Sequence, residues 1–261
     1  MYRYALLGLL QGLTEFLPVS SSGHLVLAQR LLGLDPPGVV LEGVLHLATL
    51  AAVLLYFRRD IARLLSRGLH REGRAERRYL LYLALGTLPI AVAGLSARGL
   101  VERAFSSVTL TGGMLLVTAG LLLAAARAQG KAKRKEVRLT DVALVGVAQA
   151  AALLPGISRS GATIGTGILA GLAPREAARF SFLLAIPAIL GAGALALGEA
   201  PAAPFASGDW LGVVIATGCA LASGLFAIHL LLRVLAGNRL YLFALYCLAA
   251  GAAALALGFA G

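Results

Sequence analysis

Six apolar stretches of this chain, roughly residues 40–57, 79–97, 108–126, 177–197, 210–232 and 240–258, are each long enough to cross a bilayer, which takes about 20 residues. No other feature constrains the fold as much. Backbone inside hydrocarbon has no water to bond with, so uninterrupted apolar runs of this length are helices. Composition agrees. Of 261 residues, 59% are hydrophobic and 13% charged, with mean hydropathy +0.86, where a soluble domain carries about 25% charged residues. Too little polar surface is present to cover a soluble globule. A soluble enzyme, a disordered chain and a disulfide scaffold are excluded. Cys219 and Cys247 lie in separate apolar stretches and read as small buried hydrophobes. The first apolar stretch runs into Gln11, Thr14 and Glu15 without a small-residue cleavage site, so it does not read as a signal peptide.

Two further apolar regions, about 4–34 and 140–173, break midway, at Pro18 through Gly23 and at Pro155 through Gly161. Their arms are only about 10–15 residues, which suits re-entrant helical hairpins. At a constant offset of 138 the two regions match without gaps. Gly8 and Gln11 pair with Gly146 and Gln149; Ser20, Ser22 and Gly23 pair with Ser158, Ser160 and Gly161; Leu31, Gly33, Leu34 and Pro36 pair with Leu169, Gly171, Leu172 and Pro174. The expected fold is therefore an all-α integral membrane protein of six transmembrane helices plus two re-entrant hairpins, forming one membrane domain over 1–261. Its inverted repeats cover about 1–127 and 139–261, joined by a basic cytoplasmic linker. Paired broken helices in such repeats point to a binding site near the midplane.

The net charge of +11 sits in short basic runs between apolar segments, so it reads as topology signal and anionic-lipid contact, not a nucleic-acid surface. Arg58 through Arg78 and Arg127 through Arg138 should be cytoplasmic. The stretch holding Glu199 and Asp209 lacks Lys and Arg and should lie outside. Both termini then fall outside, and the first hairpin enters from the outer face. Trp210 and the scattered tyrosines read as interfacial anchors.

The breaks carry the chemistry. Gln11 and Glu15 share one helix face, followed by Ser20, Ser21, Ser22, Gly23 and His24; the second break holds Ser158, Arg159, Ser160, Gly161 and Thr163. A Ser-x-Ser-Gly run opening a helix offers hydroxyls and free backbone N–H groups at a positive dipole end, a site for phosphate. Two such ends with one guanidinium fork suit a diphosphate. At the same offset Glu15 faces Leu153, Ser21 faces Arg159 and His24 faces Ala162. One half keeps an acid, a hydroxyl and an imidazole, and the other keeps the cation. A structural Glu15–Arg159 ion pair is the plainer alternative. His46 and His229 read as satisfied core histidines, with His46 also placed to line the site. Glu42 is a helix-dipole partner or supports the site from behind.

The runs Gln11-Gly-Leu-Thr-Glu15-Phe-Leu-Pro-Val-Ser20-Ser-Ser-Gly-His24 and Pro155-Gly-Ile-Ser-Arg159-Ser-Gly-Ala-Thr163 resemble the two signatures of the undecaprenyl-diphosphate phosphatases of the bacitracin-resistance type. Gly86-Thr-Leu-Pro89 and the basic first loop also fit, so the resemblance covers essentially the whole chain. It implies a multi-pass bacterial inner-membrane hydrolase that returns the C55 polyprenyl diphosphate carrier of wall synthesis to its monophosphate. It also implies a divalent cation, Mg2+ or Ca2+, with Glu15 as ligand and Gln11 as a second candidate. The family's first motif has Glu or Gln at the position of Gln11, so here Glu15 is the motif's only carboxylate.

On this reading Ser21 attacks the terminal phosphorus, and His24 serves as its base or as acid to the leaving oxygen. Glu15 binds the cation or polarises the serine. Arg159 clamps the phosphate, helped by Ser158, Ser160, Gly161 and Thr163 on its own side and by Gln11, Ser20, Ser22 and Gly23 on the other. Attack by metal-activated water, with Ser21 only a ligand, is the open alternative. Broken helices in inverted repeats also suit a flippase for a phosphorylated lipid, or a bifunctional phosphatase–flippase. The site should open to the periplasm. A homodimer is allowed, with no motif to say through which span.

Overall fold

The computed structural model describes residues 1–32, 39–68, 70, 73–198 and 210–259. Glu199, Asp209, Arg71, Glu72 and the repeat positions Gly33, Leu34 and Pro36 lie outside the described residues. Among the described residues the chain is all α. The first half holds α1 (Tyr2–Phe16), α2 (Ser21–Leu32), α3 (Val39–Tyr56), α4 (Arg58–Gly68), α5 (Arg74–Ser96), α6 (Arg98–Phe105) and α7 (Val108–Ala128). The second holds α8 (Leu139–Ala151), α9 (Arg159–Leu169), α10 (Pro174–Gly198), α11 (Trp210–Ala236) and α12 (Tyr241–Phe259). Helices α5, α7, α10, α11 and α12 are long and apolar enough to cross a membrane, and α3 with α4 makes a sixth span if that bent pair is counted as one. The protein is an all-α integral membrane protein.

Helix α4 turns away from α3 by 74°. It puts Leu64 into the core and leaves Arg59, Arg63 and Arg67 exposed, the pattern of a helix lying along an interface. The breaks that end α1 and α8 have local causes. Leu17 precedes Pro18 and is extended, as the proline ring requires. Ser20 then takes φ 69°, a left-handed conformation rare outside glycine. In the second break Gly156 has φ 97°, and a Cβ there would also stand 2.3 Å from the carbonyl O of Thr111.

The two short-arm hairpins pack on different spans. Helix α1 lies along α11, where Gly8 and Gly12 bring its backbone against Ala216 and Ala220. Helix α8 lies along α5 in the same manner, with Gly146 against Gly86. Helices α3 and α10 pack on each other, as do α7 and α12. The main core lies beside the breaks, with Phe16 of α1 and Phe57 both against Phe182 of α10.

One end of the bundle gathers the basic segments. Arg179 at the start of α10 pairs with Asp60 of α4 at 2.6 Å, and Gln129 after α7 donates to the carbonyl O of Leu235 in α11. Arg134 in the linker straps both ends of the second hairpin. It is bidentate to Asp141 at the start of α8, at 2.6 and 2.7 Å, and donates to Ala170 O at the end of α9. Its hydrogen bonds to the Asp141 carboxylate push its pKa further up, so it stays charged. The first hairpin starts at the opposite end, where Tyr4 packs on Gly212 near the start of α11. The two hairpins therefore enter the bundle from opposite ends.

Candidate active site

The two breaks meet inside the bundle and are joined by hydrogen bonds. Ser20 caps α2, its Oγ accepting from Gly23 N at 3.2 Å and also from Gly156 N of the other break at 3.2 Å. Ser158 caps α9 in the same way, accepting from Gly161 N at 3.1 Å. Ser160 Oγ crosses back to the carbonyl O of Leu17 at 3.2 Å. Ser22 pairs with Ser20, and Ser160 with Ser158. Thr118 of α7 holds the second break, donating to Gly156 O and accepting from Ser158 N. Thr163 is used within the bundle, against the carbonyl of Arg159 and the hydroxyl of Ser181.

These bonds alter what the sequence suggests. Ser20, Ser158, Ser160 and Thr163 are buried, and their hydroxyls already have partners. The N–H groups of Gly23 and Gly161 are taken by caps. Both glycines serve close approach: a Cβ on Gly23 would crowd Gly156, and one on Gly161 would crowd Pro18. In this geometry the Ser-x-Ser-Gly hydroxyls build and join the tips.

The residues that differ between the two runs form a separate cluster. Glu15, 7% exposed, is its centre. Its Oε2 accepts from Ser21 Oγ at 3.0 Å and from Gln11 Nε2 at 3.1 Å, and its Oε1 accepts from Arg159 Nη2 at 2.5 Å. Three residues, from three helices, thus converge on one carboxylate. Arg159 Nη1 has only a 3.5 Å contact with the carbonyl O of Ala185, so the guanidinium keeps donors beyond those spent on Glu15. Gln11 and Ser21 also line a cavity of about 20 Å3, room for a water, together with Glu42 and Leu45 of α3. His46, one turn after Glu42, bonds back to the Glu42 carbonyl and lies within electrostatic range of Glu15. His229 meets Tyr56 Oη at 3.4 Å.

His24 is the exception. It follows Ser21 by three residues on α2, but its Nδ1 lies 2.7 Å from Ser20 O and its Nε2 2.5 Å from Tyr246 Oη. Its bonds therefore lead away from the Glu15 cluster. Glu15, not His24, is the base that Ser21 touches. Sequence reasoning missed Tyr246, which carried no signal beyond being a tyrosine in an apolar span. It also missed Thr118 and Ser181, whose contacts join segments distant in the chain.

Among the described residues no three His, Cys, Asp or Glu side chains converge in a way that would hold a metal. The Glu15 carboxylate and Ser21 hydroxyl meet, and Gln11 and Glu42 line the cavity beside Ser21; their oxygens are of the hard type that Mg2+ and Ca2+ take. They fit a cation held by one or two carboxylates and completed by substrate phosphate, not an all-protein cage.

Comparisons with known proteins agree with one another. The family model described as "Bacitracin resistance protein BacA" matches residues 4–253. A protein of Syntrophotalea carbinolica named "Undecaprenyl-diphosphatase" is 46% identical over 248 residues, covering 93% of each chain. Proteins of the same name from Myxococcus xanthus, 42% identical over 96% of this chain and 86% of its own, and from Halothermothrix orenii, 41% identical over 95% and 94%, align as fully.

Proposed function

The chain belongs to the bacitracin resistance protein BacA family, and from that premise we propose that it hydrolyses undecaprenyl diphosphate to the monophosphate and inorganic phosphate. It is a membrane phosphatase whose substrate is a lipid, and its product re-enters cell-wall synthesis. The observation that carries this reading to particular atoms is the convergence of Ser21, Gln11 and Arg159 on the Glu15 carboxylate where two broken helices meet.

Phosphoryl transfer asks mainly for positioning and charge neutralisation. Ser21 Oγ is the nucleophile. Glu15, already its hydrogen-bond acceptor, takes the proton as Oγ bonds to the terminal phosphorus and the bond to the bridging oxygen breaks. The lipid monophosphate leaves, and water then attacks phosphoserine to release inorganic phosphate. Arg159 uses its remaining donors on the equatorial oxygens, so it holds phosphate without leaving Glu15. Gln11 holds the Glu15 carboxylate and a phosphate oxygen. His24, on the same helix as Ser21, is the acid–base group on the leaving side. Ser20, Ser22, Gly23, Ser158, Ser160, Gly161 and Thr163 fix the two tips in register. A divalent cation, Mg2+ or Ca2+, would be held by Glu15 with Gln11 and Glu42, and when bound it supplies charge neutralisation to the diphosphate.

Positive charge sets the orientation. Among the described residues, the Lys and Arg outside the hairpins lie at the basic end except Arg98 and Arg103 of α6, so that end faces the cytoplasm. The protein then sits in the inner membrane as an inverted repeat, with the Glu15 half entering from the periplasmic side. Support comes from the matched packing of α1 on α11 and α8 on α5.

The test is phosphate release from a long-chain polyprenyl diphosphate by purified protein, with Mg2+ and with EDTA. Glu15→Gln, Ser21→Ala and Arg159→Ala should each lose at least about a hundredfold, roughly 2.7 kcal/mol of barrier. Release that survives Ser21→Ala but not Glu15→Gln replaces the serine with water as nucleophile. Lipid binding without release by folded protein overturns the phosphatase reading.

A further inference from the structure

His24 and Tyr246 stand 222 positions apart in the chain and meet in two ways. The imidazole Nε2 is 2.5 Å from Tyr246 Oη, and the rings lie 8° from parallel with centroids 5.5 Å apart. The other ring nitrogen, Nδ1, lies 2.7 Å from Ser20 O. A carbonyl oxygen only accepts, so Nδ1 carries the proton. In the neutral ring Nε2 is then the acceptor and the Tyr246 hydroxyl its donor. The partners at the two ends thus assign one tautomer and one ring orientation.

The next residue on α12 supports the contact. Cys247 is buried, and its thiol donates to the carbonyl O of Pro18, in the break just ahead of Ser20. Helix α12 therefore touches the first tip at two successive residues, one on its backbone and one on its histidine. Tyr246 is half-exposed, as an interfacial anchor would be. An anchor turns its hydroxyl toward water and headgroups, whereas this hydroxyl is spent on a histidine of the reaction motif.

We propose that Tyr246 is a positioning residue of the reaction, whose hydroxyl donates to His24 Nε2 and, with Ser20 O at Nδ1, fixes the orientation of the neutral imidazole. The proposal rests on the reading of His24 as the acid–base group. It assigns a role to a residue outside both motifs and ties the last helix of the chain to the first broken tip.

The experiment compares Tyr246→Phe, Tyr246→Ala and His24→Gln in the purified full-length protein, reading kcat and KM for polyprenyl diphosphate. It also reads the imidazole 15N shifts of His24 in histidine-labelled protein. Tyr246→Phe keeps the ring stack and removes only the hydroxyl. It should lower kcat about tenfold, a fraction of the 10²–10⁴ that a general acid–base group supplies, with KM within about twofold. The His24 Nε2 shift should move as its hydrogen bond is lost, while Ser20 O keeps the ring in its Nδ1–H form. Wild-type kcat and unchanged shifts in Tyr246→Phe, with His24→Gln inactive, overturn the Tyr246 role and leave the function of His24 standing. A defect in Tyr246→Ala that Tyr246→Phe does not share assigns the effect to ring packing and also overturns it. Full activity of His24→Gln removes the reading of His24 itself.

Discussion

The two broken tips are built on one plan and do different work. Ser20 and Ser158 cap their helices with the same bond to the glycine three residues on, at 3.2 and 3.1 Å. Each tip also sends a hydroxyl to the other, Ser20 receiving Gly156 N and Ser160 reaching Leu17 O. Where the runs diverge, at Glu15 against Leu153 and Ser21 against Arg159, the divergent side chains leave the scaffold and gather on one carboxylate. Residues shared between the halves hold the tips together. On the proposed mechanism, residues unique to one half carry out the chemistry. The near-twofold joint brings Ser21 and Arg159, equivalent by sequence, to the same Glu15.

The sharpest way to break this comparison is at Arg159. Replacing it by Ala strands a buried carboxylate and removes the phosphate clamp, so phosphate release should fall more than about a hundredfold. Arg159→Lys keeps the charge but loses the fork that serves Glu15 and phosphate together, and should remain at least about tenfold impaired. Near-normal turnover by the lysine variant would mean that only charge is needed there.

A second, smaller effect tests the shared residues. Ser20→Ala removes a helix cap and a link in the joint, and Ser158→Ala removes a cap, at a cost of about 1 kcal/mol each. Both should lower the temperature of unfolding in detergent while turnover per folded molecule changes only a few-fold. If either serine bound phosphate directly, its alanine variant would lose turnover at unchanged stability. Ser20→Asn should be the mildest change there, since asparagine tolerates the left-handed backbone and can still cap.

Much of this architecture is legible in the sequence. Apolar length marks the five long spans and α3, and Pro18 and Pro155 mark the breaks. The mismatches at a fixed offset single out Glu15, Ser21 and Arg159, because a repeat that keeps its scaffold exposes what each half has changed. The use of each serine was not legible. A serine opening a helix looks the same whether its hydroxyl faces a ligand or closes a cap, and only the approach of Gly156 decides for Ser20. Arg134 reads as one more charge in a basic linker, yet it makes a bidentate bond with the buried Asp141. That pair depends on how the linker folds back over Ala170 and Leu172, which periodicity does not encode. Tyr246 depends on where α12 lands, set by its packing on α7 and by nothing near either motif.

The mildest test separates Gln11 from Gln149, identical residues at equivalent positions. Gln149 is fully buried beside Gly86, with a long 3.5 Å bond to that carbonyl and no partner for its own side-chain oxygen. Gln149→Leu removes an unsatisfied buried oxygen and should be neutral or slightly stabilising, with activity unchanged. A carboxylate at Gln149 would be buried without a cation and should destabilise strongly. Gln11 stands beside a carboxylate, a hydroxyl and a small cavity, and donates to Glu15. Gln11→Glu replaces that donor with a second negative charge. Without divalent cation the two acids repel, so unfolding in EDTA should come a few degrees earlier. With cation they share it, so half-maximal activity should need a few-fold less Mg2+, and kcat should stay within a few-fold of wild type. An unchanged Mg2+ requirement together with unchanged stability in EDTA would place the cation away from Gln11 and leave that glutamine as a support for Glu15 alone.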